Sequence, residues 1–219
     1  TPLYQKSRLL YGLAQAREAI RRRDRVVVVE GYMDVLALHQ ARLQEAVATC
    51  GTSLTAEHGR LLGRLAGRVV VAYDADAAGQ AAALRGLKHL SSTGLEVRVA
   101  VLPAGHDPDS LVRAFGPEAM EQVLEEARGV YEFAVERALS EADLRTPEGK
   151  ARAVANVVPI LAEVPGAVEQ EALVLVVARR LGVAARSVRR DLWRYQRQAG
   201  QGGRPAAGPV RVPASYTAS

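Results

Sequence analysis

The chain has 219 residues, 48% hydrophobic, 24% charged and 5% aromatic, with 29 Lys and Arg against 24 Asp and Glu for a net charge of +5. This is enough apolar material for one large or two small domains with a real core, filled by Ala, Val and Leu rather than by aromatics. A single cysteine, Cys50, excludes a disulfide framework and a Cys-rich zinc site, and no apolar run approaches the ~18 residues of a membrane span, so a reducing cytoplasm is the expected compartment.

Residues 1–12 mix charged and polar types and do not read as a signal peptide; the chain begins at Thr1 rather than Met and reads as a piece of something longer. Residues 3–22 read as a helix, because Leu9, Leu10, Leu13, Ala16 and Ile20 recur at helical spacing. Residues 26–30 are a continuous apolar run closed by an acid, the pattern of a strand buried on both faces. Helical character returns over 33–43, and 46–50 reads as a second strand ending in Cys50, a small buried hydrophobe. Gly51 to Thr55 is a polar loop, with Thr55 the N-cap of a helix through Leu61, Leu62 and Leu65. Residues 68–73 form a third strand, 77–90 an Ala-rich helix and 96–102 a fourth strand. Strands alternating with helices imply a parallel sheet with right-handed crossovers.

After Ser110 the β signal stops. Helices are predicted over 109–115, 117–127, 129–141, 147–163, 168–181 and 184–198, and Pro159 is expected to kink or split the fourth of them. Residues 199–219, with four Gly and three Pro, read as a disordered tail. The expected fold is α/β: a leading helical segment over 1–25, a parallel four-stranded sheet domain over 26–115, an all-helical subdomain over 116–198, and the tail.

Three short acidic groups each follow one of the predicted strands. Glu30-Gly-Tyr-Met-Asp34 follows the first, Asp74-Ala-Asp76-Ala-Ala-Gly79 the third, and Asp107-Pro-Asp109-Ser110 the fourth after a short loop. Ligands of open parallel sheets sit beyond the carboxyl ends of the strands, so all three groups should share one edge. At ~4 Å two like charges cost about 4 kcal/mol at an effective dielectric near 20, so acids gathered there call for hard cations, Mg²⁺ first. Each group also has a plainer reading. Glu30 suits a solvated strand end, Asp34 a helix start, Asp74-Ala-Asp76 an Asx turn with a cap, and Asp107 with Asp109 a helix N-terminus. What favours a metal site is that the same pattern follows three strands of one sheet.

The remaining chemistry is thin. No two of His39, His58, His89 and His106 have zinc-ligand spacing, and no Gly-rich phosphate loop is present. Arginines cluster over Arg17–Arg25 and Arg179–Arg197, where a solvated helix face and a nucleic-acid track are both open. A basic chain with a local acidic cluster suits a phosphodiester substrate.

Glu30-Gly-Tyr-Met-Asp34-Val35, Cys50-Gly-Thr-Ser-Leu-Thr55, Tyr73-Asp-Ala-Asp76-Ala-Ala-Gly79 and Asp107-Pro-Asp109-Ser-Leu-Val112, in this order and spacing, resemble the Toprim domain of bacterial DNA primases. Lys6-Ser-Arg8-Leu-Leu-Tyr11-Gly12-Leu13 resembles the segment entering that domain, and 116–198 the helical part that completes the primase polymerase region. The resemblance implies a Rossmann-like Toprim sheet and a DNA-dependent RNA polymerase that makes primers. It implies two Mg²⁺ ions, replaceable by Mn²⁺, with Glu30, Asp74 and Asp76 catalytic and metal-binding, and Asp34, Asp107 and Asp109 supporting the metals. Lys6 and Arg8 would line the groove for nucleotide or template. Single-stranded DNA, nucleoside triphosphates and an RNA primer are the implied ligands of a monomer at the replication fork. Zinc is expected only in a domain this chain lacks, and the replicative helicase is expected to bind a region beyond residue 219. Another Toprim activity, nuclease or topoisomerase-type, and a catalytically silent nucleic-acid-binding module are the competing readings. No tyrosine here has the context of a topoisomerase nucleophile.

Overall fold

The computed structural model describes residues 9–51, 54–73, 90 and 94–201. They belong to two compact units, residues 1–140 and 141–219.

The first unit is built on a sheet of β1 (Arg25–Val29), β2 (Ala46–Ala48), β3 (Arg68–Tyr73), β4 (Glu96–Val101) and the two-residue β5 (Arg128–Gly129), in the order β2-β1-β3-β4-β5. The first four strands are mutually parallel, with Val28 opposite Val47 on one side and Val71 on the other, and Tyr73 opposite Val101. The expected four-stranded parallel sheet is therefore present, and β5 extends it with an antiparallel edge. The chain steps outward from β1 to β2, then returns to place β3 on the opposite side of β1. The direction of winding thus reverses between β1 and β3, and this is the crevice where open α/β sheets bind ligands.

Successive valines explain the sheet. Val27, Val29, Ala46, Ala48, Val70, Ala72, Ala100 and Leu102 share one core cluster with Val35, Leu38, Leu111, Met120 and Leu124. Those partners come from α2 (Tyr32–Gln40), α4 (Pro108–Phe115) and α5 (Pro117–Glu125). The alternate residues Val26, Val28, Val47, Val69 and Val71 are buried as well, so the strands read as unbroken apolar runs because both faces are covered. Burying one such valine contributes roughly 1.5–3 kcal/mol. The helices α1 (Leu13–Arg23) and α3 (Ala56–Leu62) bury Ala16, Ile20 and Leu62, and α6 (Val130–Ser140) packs on β4 and β5.

In the second unit α7 (Pro147–Ala162), α8 (Ala167–Leu181) and α9 (Ala185–Gln201) pack on one another around Val157, Leu161, Val174, Val177, Leu181, Val188 and Leu192. The Thr146 hydroxyl caps α7, accepting from the Gly149 N–H at 3.0 Å. Position 149 admits only glycine, since a Cβ there would fall 1.8 Å from the Asp143 carbonyl oxygen.

Several local expectations are corrected. The leading helix starts at Leu13 and residues 9–12 are not part of it, because Tyr11 is taken up in backbone pairing with Ala48: its N–H donates to the Ala48 oxygen at 2.9 Å, and the return bond is 3.1 Å. The expected helical residues 3–8 lie outside the described residues. Cys50 is exposed with φ 52°, not a buried strand residue, since β2 ends at Ala48. Pro159 does not split its helix; it lies near the end of α7, where its missing N–H costs one hydrogen bond. Residues 117–140, expected with the helical bundle, belong to the first unit, where β5 joins the sheet. The helix expected over 77–90 lies outside the described residues except Leu90, which is helical and buried, and the tail from 202 lies outside them too. Among the described residues no helix is long and apolar enough to cross a membrane.

Candidate active site

β1, β3 and β4 are neighbours and point the same way, so the segments leaving their carboxyl ends emerge side by side. Glu30 is the first residue past β1 and is exposed. Its carbonyl accepts the Cys50 N–H at 3.0 Å, and the Val29 carbonyl accepts the Thr49 N–H at 3.3 Å, so the chain leaving β2 is laced to the chain leaving β1. Cys50 and Gly51 both take positive φ, which turns the backbone away at this point.

Gly31 opens α2, and its N–H donates to the Asp34 Oδ2 at 3.1 Å. A Cβ on Gly31 would lie 3.0 Å from that oxygen, so glycine is needed here for the approach of Asp34 rather than for an unusual φ. Asp34 thus performs the helix-start role that its position allowed. Tyr32 and Met33, both exposed, follow at the same edge, and Tyr32 meets the Tyr11 ring edge-on with centroids 6.1 Å apart. No periodic pattern announces this aromatic pair, because Tyr11 arrives through its backbone pairing with Ala48 of β2.

Past β4 and the short loop that follows it, Asp107 is the N-cap of α4. Its Oδ1 accepts the Ser110 N–H at 2.7 Å, and its own N–H donates to the Ser110 Oγ at 3.0 Å. The bonds donated by the Ser110 backbone and hydroxyl hold the Asp107 carboxyl below the usual carboxylate range. Asp109, in the first turn, accepts from the Arg113 Nε at 2.7 Å. Both acids therefore take up the helix-terminus roles that competed with metal binding. Since a carboxylate has about four lone-pair sites, one such bond leaves acceptor capacity for a cation.

Asp74, Asp76, Gly79, Lys6 and Arg8 lie outside the described residues. Asp74 directly follows Tyr73, the last residue of β3, which runs between β1 and β4. Among the described residues no three His, Cys, Asp or Glu side chains gather as a metal-binding group. Of the described acids, Glu30 best fits a divalent ion: a hard oxygen donor, exposed, at the crevice where the winding reverses. His58, by contrast, is fully buried and structural; its N–H donates to the Thr55 hydroxyl at 3.2 Å and its Nδ1 accepts the Thr55 N–H at 3.3 Å.

A mostly parallel sheet with acids leaving the strands on either side of its switch point is the Toprim arrangement, and the Toprim-like family model matches residues 27–112. A second family model, the DnaB-helicase binding domain of primase, matches residues 131–185. The chain is 42% identical over 169 residues to the DNA primase of Escherichia coli K12, covering 76% of this chain and 29% of that one. It superposes with TM-score 0.73 and 34% identity on the RNA polymerase domain of Mycobacterium tuberculosis primase DnaG in complex with double-stranded DNA, covering 84% of this chain and 60% of that one. With TM-score 0.67 and 39% identity it also matches a DnaG primase catalytic domain bound to ssDNA, covering 83% and 58%. What the chain resembles, in both family models and in these relatives, is therefore bacterial DNA primase. The chain spans 26–32% of the length of these curated relatives. The match at 131–185 corrects one expectation: a helicase-binding family resemblance lies within this chain, not only beyond residue 219.

Proposed function

We propose that this chain carries the catalytic centre of a primase, a DNA-dependent RNA polymerase and nucleotidyltransferase that makes short RNA primers for DNA replication in the cytoplasm, at the replication fork. The observation that carries the reading is the switch point between β1 and β3, with Glu30 leaving one strand and Asp74 following the other in sequence. Residues 26–115 form the Toprim domain in this reading, and the helices beyond it complete the polymerase region.

Glu30, Asp74 and Asp76 would hold divalent ions, Mg²⁺ or Mn²⁺, with Asp34, Asp107 and Asp109 adding negative potential around them. Bound there, the ions supply Lewis-acid activation of a 3′-hydroxyl and neutralisation of the triphosphate. The chain's own contribution is placement. β1 and the Cys50-to-Glu30 backbone bond fix where the Glu30 carboxylate emerges, and the reciprocal Asp107–Ser110 bonds fix the start of α4. The exposed Tyr11–Tyr32 pair offers apolar ring surface for a base beside that edge. Lys6 and Arg8 would contact nucleotide or template phosphates. The partners are single-stranded DNA, nucleoside triphosphates, the RNA primer and a replicative helicase, and the protein acts as a monomer.

The test is primer synthesis on a single-stranded template by Glu30→Gln and Asp74→Asn. Each is expected to lose at least ~1,000-fold in activity, the scale of a removed transition-state electrostatic contact. Glu30→Gln is expected to keep its unfolding free energy within about 0.5 kcal/mol, as exposed substitutions do. Primer synthesis near the parent level in either variant refutes the reading.

A further inference from the structure

The arginine cluster near the carboxyl terminus is not used by the site at the sheet edge. α9 buries Val188 and Leu192 against the rest of the second unit and exposes the opposite face. Arg186, Arg190, Trp193 and Arg197 are spaced i, i+4, i+7 and i+11, so they form one line along that exposed face, about 16 Å from end to end. Trp193 is 55% exposed although it is the chain's only tryptophan, and the Arg197 guanidinium stacks over its ring at 4.6 Å from the centroid. Leaving so large an apolar ring in water forgoes burial that the adjacent core positions obtain. Among the described residues Arg186 and Arg190 have no ion-pair partner, whereas Arg189 pairs with Glu171 of α8 and Arg194 lies 3.5 Å from Asp191. The helix lies beyond the residues matched by the helicase-binding family model, apart from its first residue.

A row of cations alone would suit any polyanion. An exposed indole set within the row, with a guanidinium already on one face, selects among them: aromatic rings interleaved with arginines stack bases while the arginines follow the backbone. A carboxylate-rich peptide has no flat partner for Trp193. We infer that the Arg186–Arg190–Trp193–Arg197 face of α9 is a second nucleic-acid contact, a track for single-stranded nucleic acid separate from the acidic sheet edge. It goes beyond the proposed primer synthesis and does not need that chemistry.

The experiment is a titration of the whole chain with a 20-nucleotide oligo(dT), without metal or nucleotide, read by the emission of Trp193. The parent is expected to quench on binding. R186Q/R190Q, melting at the parent temperature because neither side chain is buried, should bind roughly 10-fold more weakly and lower the slope of log K against log salt by about 1.4, at about 0.7 per phosphate contact. W193A, followed by anisotropy of a labelled oligonucleotide, should lose roughly 10-fold. R60Q, on α3, should behave as the parent. Glu30→Gln should quench as the parent does even where primer synthesis is lost, which separates failure of this track from failure of the proposed active site. Oligonucleotide binding without a change in Trp193 emission overturns the inference. So does an unchanged affinity and salt slope in R186Q/R190Q, or equal quenching by poly-glutamate.

Discussion

The two ends of the four parallel strands treat charge in opposite ways. At the amino edge, charges cancel through fixed side-chain partners. Glu45, fully buried just before β2, accepts from the Arg25 Nη2 at 2.6 Å and the Arg23 Nη1 at 3.1 Å, and Glu121 of α5 completes the network 2.8 Å from Arg25. Burial works against the charged Arg25 guanidinium, but the hydrogen bonds and charges of Glu45 and Glu121 outweigh it and raise its pKa. Further along the edge, Glu96 bonds Arg68 at 3.0 Å and Arg98 at 2.6 Å, and the Asp24 carboxylate accepts the Gly67 N–H at 2.7 Å. At the carboxyl edge Glu30 is exposed, Asp34 and Asp107 bond the backbone at helix starts, and Asp109 bonds an exposed arginine. Networks of paired side chains hold a fold together; an exposed acid beyond a strand end, or one capping a helix, still has carboxylate oxygen capacity to offer a cation that is not part of the chain.

That contrast breaks first at Glu45. Glu45→Ala is expected to cost about 3 kcal/mol in urea unfolding, because it leaves the largely buried Arg25 short of a partner. Its primer synthesis per folded molecule should be unchanged. A loss of activity without a loss of stability would put function at the wrong edge.

Asp107 gives the next largest effect and separates its two roles. Asp107→Ala removes the α4 cap and should cost about 1 kcal/mol, whereas Asp107→Asn, an equally good cap, should cost little. Its carboxyl is held below the usual range, so its contribution to stability is present above the unfolded value of about 3.9 and is lost as pH falls through the lower folded value. The acid limb of a pH–stability curve should therefore flatten in Asp107→Asn. If Asp107→Asn also weakens divalent-ion binding, the residue supports the metals as well as the helix.

Much of this was readable from the residue order, for a physical reason. Continuous valine runs closed by acids report strands buried on both faces, and Thr55 and Asp107 sit as caps because their oxygens meet a local N–H three residues on. Contacts made across the chain were not readable. Tyr11 left its helical pattern to pair with Ala48, and Arg25 met Glu45 and Glu121 across 20 and 96 residues. The two residues of β5 are too short to carry a period. At Asp34 and Asp107 local pattern alone could not choose between cap and ligand, because both uses need an acid at a strand-to-helix turn.

Gly31→Ala gives the smallest effect. The added Cβ presses on Asp34, and the lost N–H bond should cost about 0.5 kcal/mol. Urea midpoints for this variant and for Glu45→Ala should differ accordingly, ranking the carboxyl edge as the less costly one to disturb.

The direct measurement is the thermal midpoint of the chain titrated with Mn²⁺, alone and as Glu30→Gln and Asp74→Asn/Asp76→Asn. An ion held by the native state stabilises it by about 2.7 kcal/mol at 100 times its dissociation constant. The account predicts a saturable rise in the parent that shrinks in Glu30→Gln and disappears in the double variant. A flat parent titration, or an equal rise in all three proteins, would contradict it.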